Sequence, residues 1–140
     1  METATILPLN TETITYPSLA DRVQSTFIDA IVMVGFMLIA ATVLEKYDGA
    51  PDWIRVALFF GIWAVYEPLC ISLGGTIGNH LKGIRVRHHR QVTRKINFFQ
   101  AFFRYGAKIT LGWLSFLFIH TNSQKRALHD LVAGSVMIRK

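Results

Sequence analysis

Residues 18–44, SLADRVQSTFIDAIVMVGFMLIAATVL, limit what this chain can become more than any other stretch, because they read as a membrane helix that carries charge. The 18 residues from Phe27 to Leu44 are all apolar or small except Asp29. That length is close to the roughly 20 residues needed to cross a hydrocarbon core about 30 Å thick. Arg22 and Asp29 stand two helical turns apart, so they share a face, with Ser25 and Thr26 between them. An aspartate inside a span costs about 2.5–3.5 kcal/mol on insertion scales. Two placements answer that cost. Asp29 either reaches the headgroups from near the helix end, or it sits in a packed polar site within the membrane.

Composition supports the membrane reading. Of 140 residues, 51% are hydrophobic and 17% charged, against about 25% charged in ordinary soluble domains. Mean hydropathy is +0.34. The length suits one domain, a polar N-terminal arm over 1–17 followed by a membrane unit over 18–140. The net charge of +6 is concentrated in a few stretches, which fits membrane topology better than nucleic-acid binding. The single cysteine, Cys70, lies in an apolar run and permits no intrachain disulfide. Residues 1–17 carry Glu2 and Glu12 and no base, the opposite of a signal n-region, so the first span is expected to be retained.

Three hydrophobic helices are predicted, at about 23–44, 53–73 and 98–119, with a small basic hairpin over 82–95 between the second and third. Ser18 with Asp21 forms a capping-box pattern ahead of the first. Asp48-Gly49 marks a turn, and Pro51 suits the first turn of the second helix. Glu67 lies inside that helix and is followed by Pro68, which cannot donate to the Ala64 carbonyl. A carboxylate beside a freed carbonyl suits a cation or proton site; equally, Glu67 near the cytoplasmic end serves only to close the fold. In the hairpin, Ile84–Arg87 and Gln91–Arg94 alternate as strands do, turned by His88-His89-Arg90. Lys82, Arg85, Arg87, Arg90, Arg94 and Lys95 face no acid there, so the segment is expected on the cytoplasmic side, in reach of anionic lipid headgroups.

Asn97 with Gln100 repeats the capping-box pattern before the third hydrophobic segment. Asn97, Gln100, Arg104 and Lys108 share one face of that helix, and an aromatic face lies opposite. Arg104 and Lys108 either snorkel to headgroups or pair with Asp29 and Glu67 across a three-helix interface. The closing segment, 123–138, reads as a polar joint, a helical turn through Leu128-His129-Asp130, Gly134 as the residue after the helix, and a strand from Ser135 to Ile138. This tail can pair with the basic hairpin if it too is cytoplasmic, as Lys125, Arg126, Arg139 and Lys140 suggest. A third full crossing would put it on the other side. A cytoplasmic tail instead requires the third segment to bend back, at Gly106 or Gly112.

These motifs together resemble the RDD family of membrane proteins, named for an arginine and two aspartates. Arg22 and Asp29 in ADRVQSTFIDAIV match the first pair. Gly75-Thr76-Ile77-Gly78 and Gly83-Ile84-Arg85-Val86 match the middle signature, Arg104 the basic residue of the next helix, and Asp130 in RALHDLVAGSV the second aspartate. The resemblance covers about residues 17–138. Asn79-His80 stands where the family usually has a basic pair, and His88-His89-Arg90 replaces an acidic-glycine turn. The resemblance implies the fold; transport is suspected of family members, with cation–proton exchange one proposal.

Two functions are expected from this reading. In the first, the protein is a small-ion transporter of the bacterial cytoplasmic membrane, with Asp29 trading a proton for a cation and Glu67 second in line. Arg22 sets the local field, and Asp130 pins the tail by an i,i+4 pair with Arg126 or by capping a helix. Arg22, Asp29, Glu67, Arg104, Lys108 and Asp130 then form one transport or structural polar site, and the small size calls for a homo-oligomer or a membrane partner subunit. In the second, the charges fix helix packing in a non-catalytic scaffold or accessory subunit. No enzyme chemistry, cofactor or nucleic-acid partner is expected. His80, His88, His89, His120 and His129 show no metal spacing, and Gly74–Gly78 lacks the lysine of a phosphate loop.

Overall fold

The computed structural model describes residues 13–47 and 49–139. The expected arm over 1–17 therefore lies largely outside the described residues, as do Asp48 of the predicted turn and Lys140. Ser18 opens the first helix, α1 (Leu19–Glu45). Its hydroxyl accepts the Asp21 N–H while the Asp21 carboxylate accepts the Ser18 N–H, the capping box that the sequence promised. The helix buries Arg22, Ser25, Asp29 and Met33. Their spacing of three and four residues keeps them on one stripe. The rest of the helix presents Phe27, Ile31, Leu38 and Ile39 to the outside.

The second helix, α2 (Asp52–Leu73), starts one residue after Pro51, which is the N-cap rather than a first-turn residue. It buries Glu67, Pro68 and Ile71 and exposes Trp53, Phe60 and Trp63. Both helices are long and apolar enough to cross a membrane, and their most apolar windows are only 11% and 17% buried within the protein. A helix apolar all round belongs in a protein core or in lipid, and with so little protein cover these two fit lipid.

The third hydrophobic segment departs from the expected single helix over 98–119. Helix α4 (Phe98–Leu111) stops at Gly112, whose φ of 50° a glycine adopts without strain. A short helix α5 (Leu114–Leu117) and a 3-10 turn (Phe118–Thr121) follow. The chain thus bends back at Gly112, one of the two glycines at which bending was expected. Its Asn97–Gln100 capping box is present. The faces of α4 are inverted relative to a water-soluble helix. Ala101, Arg104 and Tyr105 point inward, while Phe98, Phe99, Phe102, Phe103 and Ile109 point out.

The predicted hairpin is also corrected. Between α2 and α4 lie α3 (Ile77–Leu81), capped by the Thr76 hydroxyl, and strand β1 (Ile84–His88). Residues 91–94 are not its partner strand. They form a turn held by Gln91 N–H to His88 O and Arg94 N–H to Gln91 O. The partner is β2 (Ser135–Arg139), antiparallel, with Val86 opposite Met137 and Arg87 opposite Val136. No Asn-Gly or Asp-Gly pair supplies the turn that a tight hairpin needs, and β2 offers apolar partners that 91–94 lacks. Helix α6 (Leu128–Val132) precedes β2 and is followed by Gly134 in the left-handed region, φ 62°. Ile71, Ile84, Val86, Ile96, Ala101 and Met137 make the apolar core beneath the sheet.

Candidate functional site

Six of these elements converge on one polar cluster. From α1, Arg22 is 1% exposed; it donates to Asp130 Oδ2 at 2.6 Å and to the Lys125 carbonyl at 2.5 Å. From α4, Arg104 Nε donates to Asp130 Oδ1 at 2.8 Å, and its second guanidinium edge lies 3.6 Å from Glu67 Oε1. One turn further on, Lys108 Nζ reaches both oxygens of Glu67, at 2.8 and 2.9 Å. A chain of charge pairs, Arg22–Asp130–Arg104–Glu67–Lys108, thus ties α1, α6, α4 and α2 together. Buried charges demand such partners, because an unpaired one keeps its full desolvation cost.

Asp130 also caps its own helix by accepting the Ala127 N–H at 3.2 Å. The pair expected with Arg126 is not formed: that guanidinium donates to the Asp130 and Ser135 carbonyls instead. Burial would raise the Asp130 carboxyl, but Arg104 and Arg22 outweigh it and hold the group well below the usual carboxylate range. Neighbouring His129 moves the other way. Burial pushes it down to about 3, and Arg104, Lys108 and Arg22 add to the fall despite the pull of Asp130. The ring is therefore neutral at pH 7, and its 3.7 Å approach to Asp130 is not an ion pair. Ser115 accepts the His129 backbone N–H at 3.0 Å and faces His129 Nδ1 at 2.6 Å.

Asp29 stands apart from this chain. It was expected to face Arg104 and Lys108, but it makes no ion pair among the described residues. Three neutral donors serve it: the Thr76 hydroxyl at 2.5 Å, the Gly78 N–H at 2.8 Å and the Tyr66 hydroxyl at 3.1 Å. This arrangement requires α3 to press against α1. Ser25 Oγ bonds Asn79 Oδ1 at 2.7 Å, and a Cβ on Gly78 would lie 2.1 Å from the Ser25 carbonyl oxygen. Arg22, Asp29, Glu67, Arg104 and Lys108 all border one small cavity of about 10 Å³, room for about one water molecule.

All six residues of the predicted polar site thus come together. Tyr66, Thr76, Gly78, Asn79, Ser115 and His129 complete the cluster without having been singled out for it. Thr76 and Gly78 left a trace in the Gly-Thr-Ile-Gly motif; Tyr66 left none. The predicted basic patch is divided. Lys82 turns back to α1, bonding Gln24 and lying 3.7 Å from Asp21. Arg85 and Arg87 alternate with buried Ile84 and Val86 on β1, and Arg90, Arg94 and Lys95 lie exposed beyond it. Among the described residues, no group of three or more histidines, cysteines or acids is placed to hold a metal ion.

The sequence model of the RDD family matches residues 16–134. No curated protein and no solved structure matches the chain. The family match and the two apolar helices together point to a membrane protein.

Proposed function

The chain belongs to the RDD family, and from that footing we propose that it is an integral protein of a bacterial cytoplasmic membrane that exchanges a small cation for a proton at Asp29. One observation carries the reading. Asp29 alone among the acids of the cluster lacks a cationic partner among the described residues, and it is held by two hydroxyls and an amide beside a water-sized cavity. Hydroxyl and carboxylate oxygens are the ligands a hard monovalent cation prefers, and the same carboxylate takes a proton in its place. Around Asp29 stand three bases, Arg22, Arg104 and Lys108, against two other acids, Glu67 and Asp130. That surplus of positive charge keeps a bound cation from being held too tightly to leave, which a carrier requires. Two long helices enclose no path by themselves, so the working form is an oligomer. The basic segment 82–95 faces the cytoplasm.

A second reading, a scaffold or accessory subunit, has its own observation: the unbroken chain of charge pairs from Arg22 to Lys108. Proton movement driven by a cation gradient, in liposomes holding this protein alone, separates the two. Asp29→Asn should abolish flux yet fold, since the amide oxygen still accepts from Gly78 and Tyr66 while its NH2 donates to the Thr76 hydroxyl oxygen. Asp130→Asn should lose about 3–5 kcal/mol of stability, because two guanidiniums are left facing a neutral group. A folded wild type that moves no tested cation would transfer the weight to the scaffold reading, and co-purification would then identify the partner.

A further inference from the structure

Away from the polar cluster, a cleft of about 460 Å³ opens between the end of β1, α4 and the α6–β2 turn. It is lined by His88, His89 and Arg90 at the end of β1, by Gln100 and Phe103 of α4 and by Val132 of α6. The two imidazoles stack with centroids 5.1 Å apart. His89 Nδ1 bonds the Gly134 carbonyl at 2.8 Å, so that nitrogen carries the hydrogen. His88 Nδ1 accepts the Arg90 N–H at 3.3 Å, so the hydrogen of its neutral ring is on Nε2. Gln100 Oε1 accepts from Asn97 N–H, which keeps its amide NH2 as a donor. No carboxylate lines the cleft, and the guanidiniums of Arg94, Arg90 and Arg126 all bear on His88. The other lining residues are partly apolar. Phe103 and Val132 are 65% and 61% exposed and run on into Phe99 and the outward aromatic face of α4.

We propose that this cleft binds one anionic phospholipid, its phosphate against Arg90, His88 and His89 and its acyl chains along Phe103 and Val132. The inference rests on the membrane reading above and goes beyond a diffuse attraction of bases to headgroups. A diffuse attraction needs only net charge; this cleft places a cation with no ion pair among the described residues, and ring donors, beside apolar side chains that continue into the face proposed to meet lipid. The size is that of an ordinary small-molecule site.

The test uses the full chain in phosphatidylcholine vesicles with a minor share of phosphatidylglycerol bearing an acyl-chain photocrosslinker. Phosphatidylcholine carrying the same label is the comparison. The wild type should crosslink the anionic lipid several-fold more. Arg90→Gln should reduce that preference about five-fold, one surface cation's share. Arg85→Gln and Arg87→Gln remove the same charge outside the cleft and should leave it unchanged. Equal losses from all three substitutions, or equal labelling by both lipids, would overturn the site. Loss of labelling on adding inorganic phosphate would assign the cleft to free phosphate and overturn the lipid. Retention in the vesicles through an alkaline wash is read in the same preparation. A protein that washes off fails the membrane reading and this proposal with it; one that stays without lipid preference fails the proposal alone.

Discussion

Gly78 carries no chemistry, yet the geometry at Asp29 depends on it. Its amide is one of the three donors to that carboxylate, and the donor reaches its place only because nothing projects from the α-carbon toward α1. In Gly78→Ala the new Cβ would meet the Ser25 carbonyl at 2.1 Å, and backbone cannot yield as a flexible side chain would. The expected cost is about 1–3 kcal/mol or more, read as a lower thermal midpoint of the detergent-purified protein. Gly106→Ala is the control, because nothing lies within 4 Å of its added Cβ; its midpoint should hold or rise. His129 makes a separate claim about acid. The folded protein keeps the ring neutral down to about 3, whereas the unfolded chain gains a proton near 6.5. The unfolded state then binds more protons, so stability is full above pH 6.5 and falls as pH drops toward 3. Asp130, held low by Arg104 and Arg22, adds its loss only below its ordinary value of 3.8. His129→Gln should be less stable at pH 7.5 but lose less between pH 6.5 and 4. Parallel midpoint profiles for the two proteins would refute the assignment.

At the scale of elements, what was legible followed from local pattern. The capping boxes at Ser18 and Asn97 name their own partners three residues on, and both are present. The stripe Arg22–Ser25–Asp29 is fixed by helical spacing, and the same residues are the buried ones. What failed depended on distant pairing. Residues 91–94 alternate as a strand should, but β1 found its partner some fifty residues away, in β2. Alternation specifies a strand and not its neighbour. The segment 98–119 fails for a related reason. Its hydrophobicity is continuous, so composition alone gives one helix, and only the glycine at position 112 says where it ends. The expected pairing of acids with bases was half legible. Glu67 does meet Arg104 and Lys108, but Asp130 takes the place assigned to Asp29. Counting charges on helices cannot show that a short helix near the end of the chain will carry a carboxylate into the cluster.

For the whole molecule, the β1–β2 pairing constrains how the chain can lie in a bilayer. The two strands flank α4, α5 and the 3-10 turn, and paired strands cannot be on opposite sides of a membrane. In the membrane placement proposed above, the segment 98–121 would therefore leave on the side it entered. Its inverted faces agree: Arg104 and Lys108 turn to the acids of the cluster while its phenylalanines turn outward. The connection near Tyr47, between α1 and α2, is then the part placed on the opposite side. Single cysteines test this in a Cys70→Ser background. Gln91→Cys and Ser123→Cys sit at exposed positions before and after the bent segment, and Tyr47→Cys sits at the exposed end of α1. With a membrane-impermeant maleimide, the first two should label in inside-out vesicles and Tyr47→Cys in right-side-out ones. Labelling of Ser123→Cys from the same side as Tyr47→Cys would mean a third crossing. It would also break the strand pairing on which the Arg22–Asp130 contact depends, because α6 is joined to β2 by a turn at Gly134 and could not then reach α1.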